Sequence, residues 1–170
     1  MGSEPSDRPA VLVTGGNSGI GFECARCLAR EGERVLVASR NQAASAEAVR
    51  RIVRETGNEA VGELELDLGS QASVRQLAKE IDARRIALRG LVCNAGLQLS
   101  AGPKPSSEGF EQTFAVNHLG HFLLTNLLLS NLAAHTPARV VMDAARAGEL
   151  WECSVRWSGL SSDESPLVRA

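Results

Sequence analysis

The 170-residue sequence contains no tyrosine, and its aromatic share is only 4%. Any chemistry that needs a phenol as proton donor or acceptor is therefore absent from these residues. Lysine is nearly absent too, with Lys79 and Lys104 its only examples. Neither charge sign dominates: 18 Lys and Arg face 20 Asp and Glu, for a net charge of −2. This offers no basic field for a polyanion, so nucleic acid is not an expected partner. Long apolar runs are missing as well. Leu127-Leu128-Leu129 is flanked by Asn126 and Ser130, far short of the ~20 residues of a membrane span. Met1 to Ala10 is polar and lacks the apolar core of a signal peptide, which makes the cytoplasm the expected compartment. Four cysteines are too few to suggest a disulfide scaffold in a chain long enough to bury a core of its own.

What the sequence does contain is alternation. From residue 10 to residue 142, short runs rich in Val and Leu are separated by segments of helical period. A parallel sheet covered by helices has this pattern. The spacing predicts strands at Ala10 to Val13, Arg34 to Ser39, Val61 to Leu68, Leu91 to Cys93 and Ala138 to Met142. Helices are expected up to about Glu31, over Ala43 to Thr56 with Gly57 as C-cap, after an N-cap at Ser70, and over Phe110 to Ala134. The expected fold class is α/β, a Rossmann-type doubly wound parallel sheet in strand order 3-2-1-4-5, ending after about five strands. Residues 1–9 are expected to form a disordered arm, 10–142 the folded domain, and 143–170 an atypical and possibly disordered tail, with Trp151 and Trp157 among charges.

Between the first strand and first helix lies Thr14-Gly15-Gly16-Asn17-Ser18-Gly19-Ile20-Gly21. Glycines there permit a tight turn and close backbone approach. The helix that follows presents free N–H groups and a positive dipole end, which suit a pyrophosphate. About 20 residues further on, where a carboxylate would accept from the ribose 2′-OH of NAD, the sequence has Ser39 and Arg40 instead. Arginine accommodates a 2′-phosphate, so NADP(H) is favoured over NAD(H).

The turn resembles the glycine motif of the short-chain dehydrogenase/reductases, and three further signatures of that family follow in order: Asp67-Leu68, Asn94-Ala95-Gly96 and Asn117. The wording Ala38-Ser39-Arg40-Asn41 and Asn117-His118-Leu119-Gly120-His121-Phe122 is most similar to the retinol dehydrogenase and protochlorophyllide reductase branch. The resemblance implies a cofactor site made of Gly15, Asn17, Ser18, Gly19, Ile20, Gly21, Ser39, Arg40, Asp67, Leu68, Asn94, Ala95 and Gly96. Asp67 would meet the adenine amino group, and the turn at Asn94 would approach the ribose.

The same resemblance implies hydride transfer between nicotinamide and a carbonyl or alcohol. Tyrosine would serve as acid/base, a lysine three residues on would lower its pKa, a serine would polarise the carbonyl, and an asparagine would support a water relay. Of these four positions only Asn117 is matched. Arg139-Val140-Val141-Met142 begins the approach to the family's serine, but Asp143-Ala144-Ala145 follows. Family members also continue with two more strands that build the substrate pocket. The chain is therefore expected to be a C-terminally incomplete, catalytically inactive form that still binds the dinucleotide.

Three further features are read as structural. Cys24 and Cys27 lie in the first helix with no second pair at zinc spacing, so core packing is expected and no metal. His118 and His121 sit three apart on the long helix without a third ligand. That helix carries apolar residues on more than one face, which suggests a homo- or hetero-oligomeric contact through residues 110–132, including a regulatory pairing with a complete relative. The fifth strand would be left as an open edge.

Overall fold

The computed structural model describes residues 8–99, 102–142 and Ser158. The expectations for the tail, and for all of the N-terminal arm but Arg8 and Pro9, lie outside the described residues. Strands β1 (Ala10–Thr14), β2 (Arg34–Ser39), β3 (Val61–Glu65) and β4 (Leu88–Val92) alternate with helices α1 (Gly19–Arg30), α2 (Gln42–Thr56) and α3 (Gln71–Ala83). A short helix α4 (Gln112–Phe114), a π turn (Ala115–Leu119) and α5 (Gly120–Ala134) lead to β5 (Arg139–Val141). All pairings are parallel, in the order β3-β2-β1-β4-β5. This is the expected doubly wound order.

The two faces of the sheet follow from the two-residue period of its strands. Val11 and Val13 of β1, with Val35 and Val37 of β2, pack against Phe22, Ala25 and Ala29 of α1 and Ala48 and Ile52 of α2. Ala10, Leu12 and Leu36 point the other way, against Leu77 and Ile81 of α3 and Leu123, Leu124 and Leu128 of α5. Helix ends obey local chemistry. Asn41 accepts from the Ala44 amide and Ser70 from the Ser73 amide, while Gly57 takes the left-handed conformation that closes α2.

Several boundaries differ from the sequence expectation. β3 stops at Glu65, not Leu68, because Leu66 N–H donates to Ser39 O at the last residue of β2, after which no neighbouring strand remains. Leu66 and Leu68 stay buried, so their spacing records core contact and not strand pairing. β4 starts three residues earlier than expected. Gly90 lies inside it, where a Cβ would stand 3.2 Å from Val11 Cγ1, beside an irregularity in register at Ala10 and Val11. A glycine read as a strand boundary is here a close approach of two strands.

The long helix is interrupted by its π turn and begins at Gln112, not Phe110. Glu111 caps it, accepting from the Thr113 and Phe114 amides, and these bonds hold its carboxyl below the usual carboxylate range. At Gly120 the helix presses on the Asp67–Leu68 segment so closely that a Cβ would overlap Leu68 O. Asn131 reaches the foot of β4 with its amide, accepting from Leu88 N–H at 2.9 Å and donating to Ile86 O at 2.9 Å. The expected apolar surplus on this helix is not at the surface: Phe122, Leu123, Leu124, Leu128 and Leu132 are all buried. Among the described residues the exposed large apolar side chains are Ile20, Val140, Val141 and Met142. The helix packs on the sheet and α3, and the exposed large apolar side chains fall instead at Ile20 in the first turn of α1 and at and just after the fifth strand. Cys27 is also exposed, against the expectation that both α1 cysteines pack in the core; Cys24 is half-buried.

Candidate functional site

The carboxyl ends of β1, β2 and β4 open onto a cleft of about 450 Å³. Every predicted cofactor residue except Gly19 lines it: Gly15, Asn17, Ser18, Ile20, Gly21, Ser39, Arg40, Asp67, Leu68, Asn94, Ala95 and Gly96. Gly19 starts α1 at φ +56°, with nothing within 4 Å of where its Cβ would stand. Sequence reasoning missed Ala38, Asn41, Leu66, Leu97 and Val116 as lining residues. Ala38 and Asn41 adjoin the Ser39-Arg40 pair and were within reach of a strand-end argument. Val116 arrives from the π turn, which no local pattern announces.

The glycine turn is locked by contact as well as by its backbone. Gly15 has φ +65°, and a Cβ on it would come within 2.9 Å of Ala95 Cα. At Gly21 a Cβ would overlap Asn94 Nδ2 and stand 2.5 Å from Gly15 O. Both positions therefore need glycine, one for its left-handed backbone and both for space. Gly15 N–H donates to Ala38 O at 2.8 Å, tying the turn to the end of β2.

Thr14 joins the glycine turn to the Asn94 turn. Its Oγ1 accepts from Asn94 N–H and Ala95 N–H, each at 3.0 Å, and Asn94 Nδ2 donates to Thr14 O at 3.0 Å. His121 Nε2 lies 2.9 Å from the same hydroxyl, and its Nδ1 lies 3.3 Å from Asn117 O. His121 is buried, and desolvation together with the nearby His118 holds its pKa below the usual imidazole value. It is neutral at neutral pH.

The N-terminus of α1 differs from those of α2 and α3. Its N-cap, Ser18, makes no side-chain capping hydrogen bond, so the first-turn N–H groups are left to whatever enters the cleft. Together with the dipole they form an anion-binding end. Arg40 is exposed and lines the cleft just after β2, next to Ser39, whose hydroxyl is held by Ser45 Oγ at 2.7 Å. The donor set fits a ligand with a pyrophosphate and a second anionic group. Asp67 lies on the cleft wall with Oδ1 accepting from Gly69 N–H at 2.9 Å.

Asn117 does not line the cleft. Its amide closes a two-bond ring with the Leu97 backbone: Leu97 N–H donates to Oδ1 at 2.8 Å and Nδ2 donates to Leu97 O at 2.9 Å. It borders the site through Leu97 and Gly96. No group of three or more His, Cys, Asp or Glu able to hold a metal occurs among the described residues, and none of their helices is long and apolar enough to cross a membrane.

A parallel doubly wound sheet with a glycine turn at its first crossover, opening under an uncapped helix, defines a Rossmann-type nucleotide-binding domain. The sequence matches the short chain dehydrogenase family over residues 9–153, and the chain belongs to that family. It is 45% identical over 141 residues to the WW domain-containing oxidoreductase of Danio rerio, covering 83% of this chain and 34% of that protein. It is 42% identical over 154 residues to retinol dehydrogenase 12 of Bos taurus, covering 91% and 48%. This similarity agrees with the retinol-dehydrogenase-like wording of the motifs. Among solved structures, an actinorhodin polyketide ketoreductase with NADPH superimposes with TM-score 0.66 at 26% identity, covering 91% of this chain and 61% of that one. The chain thus spans a third to a half of these curated relatives' lengths.

Proposed function

We propose that this chain binds NADP(H) in the cleft at the carboxyl ends of β1, β2 and β4, and that its 170 residues do not by themselves complete the family's hydride-transfer apparatus. The observation that carries the reading is the uncapped N-terminus of α1 facing the cleft, with Arg40 among the residues that line it. In this reading the α1 amides take the pyrophosphate and Arg40 takes the 2′-phosphate. Asp67 and Leu68 bound the adenine, and the Asn94-Ala95-Gly96 turn bounds the ribose. NADP(H), when bound, supplies the hydride. The chain's residues orient the cofactor and exclude water from its phosphates. NADPH in the ketoreductase structure supports a phosphorylated cofactor here.

The proton-transfer half has no counterpart. No tyrosine exists in the sequence, and Lys79 and Lys104 both precede β5. Asn117, the matched member of the family's set, spends its amide on Leu97. The experiment is a fluorescence titration of the folded chain with NADPH and NADH. NADPH should bind at least about tenfold more tightly, and Arg40→Ala should erase most of that difference. No carbonyl or alcohol should turn over. Equal affinity for the two cofactors would sink the NADP assignment, and absence of both would sink the site.

The other reading, a non-catalytic partner of a complete relative through residues 110–132, rests on apolar surface along the long helix. The large apolar side chains of α5 are instead buried or half-buried, so the cofactor-binding reading is preferred.

A further inference from the structure

His121 has no place in the cofactor contacts assigned above, yet it is buried against Thr14, which joins the two turns that make them. The hydrogen bonds around Thr14 decide which form of the ring the fold accepts. A hydroxyl oxygen has two lone pairs and one proton. Ala95 N–H, at 3.0 Å, takes one lone pair of Thr14 Oγ1, and Asn94 N–H, shared between Oγ1 at 3.0 Å and Val92 O at 3.1 Å, takes the other. The hydroxyl proton then has two candidate acceptors, His121 Nε2 at 2.9 Å and Val92 O at 3.2 Å. Val92 O already accepts from Asn94 N–H at 3.1 Å. An Nε2–H on the ring would need a third lone pair on Thr14 Oγ1. An Nδ1–H has an acceptor waiting, the carbonyl of Asn117 at 3.3 Å. One tautomer satisfies every group.

We propose that His121 is a positioning residue of the dinucleotide site: as the Nδ1–H tautomer it accepts the Thr14 hydroxyl proton, and so fixes Thr14 Oγ1 as the double acceptor that holds the Asn94–Ala95 turn against the glycine turn. The inference rests on reading the cleft as a dinucleotide site. Through Asn117 O the same ring also ties the π turn to β1, which brings together chain segments 107 residues apart.

Protonation breaks this arrangement, because a charged imidazole donates from both nitrogens and faces an oxygen whose lone pairs are already used. Asn94 N–H, already shared with Val92 O, must then give up Thr14 Oγ1. The titratable groups on the elements around the ring are Cys93 after β4, Asp67 on the segment against Gly120, and His118 on the preceding turn. Of these His118 acts on His121, and its charge opposes a second one. The fold therefore prefers the neutral ring. The penalty for protonation builds as pH falls below the ordinary imidazole value near 6.5 and is complete below the lowered folded value. NADPH affinity should weaken at lower pH still, once the ring of the folded chain itself begins to take up a proton.

Two measurements on the full chain test this. Nitrogen NMR of the imidazoles in the cofactor-free protein should show Nδ1–H on His121, with the Asn94 and Ala95 amides shifting as that ring titrates. An Nε2–H tautomer overturns the proposal. NADPH titrations from about pH 7.5 to about one unit below the His121 midpoint found by NMR should then compare wild type with His121→Gln, which keeps an acceptor but does not titrate. The ligand's own 2′-phosphate titrates in this range, so the reading is the difference between the two curves. Wild type should lose about tenfold more affinity than His121→Gln on acidification. Superposed curves overturn the positioning role and leave the cofactor site standing. Amides that follow the imidazole in a chain that binds no NADPH overturn the dinucleotide reading alone. Should His121→Gln not fold, Thr14→Val supplies the same comparison, because it removes the hydroxyl and with it the pH-dependent part of binding.

Discussion

β1 and β5 belong to one sheet and carry similar valine-rich sequences, yet all five residues of β1 are buried and all three of β5 are exposed. β1 pairs on both sides, with β2 and β4, and helices cover both its faces. β5 pairs with β4, and none of its residues lines the cleft. Packing and ligand-binding geometry are thus concentrated at the same strands. The residues that would orient a dinucleotide stand on the part of the sheet with the most buried apolar surface behind it. A perturbation at β5 should accordingly be felt little at the cleft, and one at β1 strongly.

The sharpest way to break that contrast is Gly21→Val. Its Cβ would overlap Asn94 Nδ2 and crowd Gly15 O, both fixed by backbone bonds. We expect a stability loss of at least about 4 kcal/mol and no measurable NADPH binding, read by thermal melts and titration. Leu12→Ala should follow. Leu12 is fully buried between β1's neighbours and α5, and its truncation should cost about 2–5 kcal/mol in denaturant unfolding. A smaller loss would mean that the β1 core can collapse around the void.

Thiol chemistry gives the next effect. Cys93 follows β4, where its N–H donates to Val141 O of β5, and burial pushes its thiol up to about 11. Alkylation near pH 8 should modify exposed Cys27 well before Cys93, which should be at least about a hundredfold slower by peptide mass spectrometry. Fast labelling of Cys93 would show that β5 detaches readily. The smallest effect belongs to Val141→Ala at the exposed edge, where stability should stay within about 0.5 kcal/mol and NADPH affinity should not move. A loss above about 1 kcal/mol would reveal a covered edge and dissolve the contrast with β1.

The difference between what a sequence announces locally and what only a fold assembles runs through these elements. Strand order, the helix cap at Ser70 and the left-handed Gly57 were legible, because each depends on periodicity or on a signal within a few residues, whereas the cap at Asn41 was found only in the structure. So was most of the lining of the cleft, since in an open α/β sheet the crevice lies outside the carboxyl ends of the strands where the strand order reverses. The end of β3 was not, because it depends on where β2 stops. The π turn was not, because nothing near residue 115 distinguishes it from a continuous helix. His121 read as an unremarkable helix residue, and only the fold sets it beside Thr14, 107 positions away. Asn117 matched its family position while the structure engages its amide with Leu97.

Two of the three asparagine amides of the long helical segment set a rule for tolerated change. Asn117 grips the chain just beyond the top of β4, and Asn131 grips its foot. Each amide must meet a backbone N–H and a C=O at once, and one helical residue turns the chain by about 100°. Adding or removing a single residue between them would swing one amide away from its partners, however suitable the new residue. Between 117 and 131 this segment should therefore accept altered side chains much more readily than an altered length.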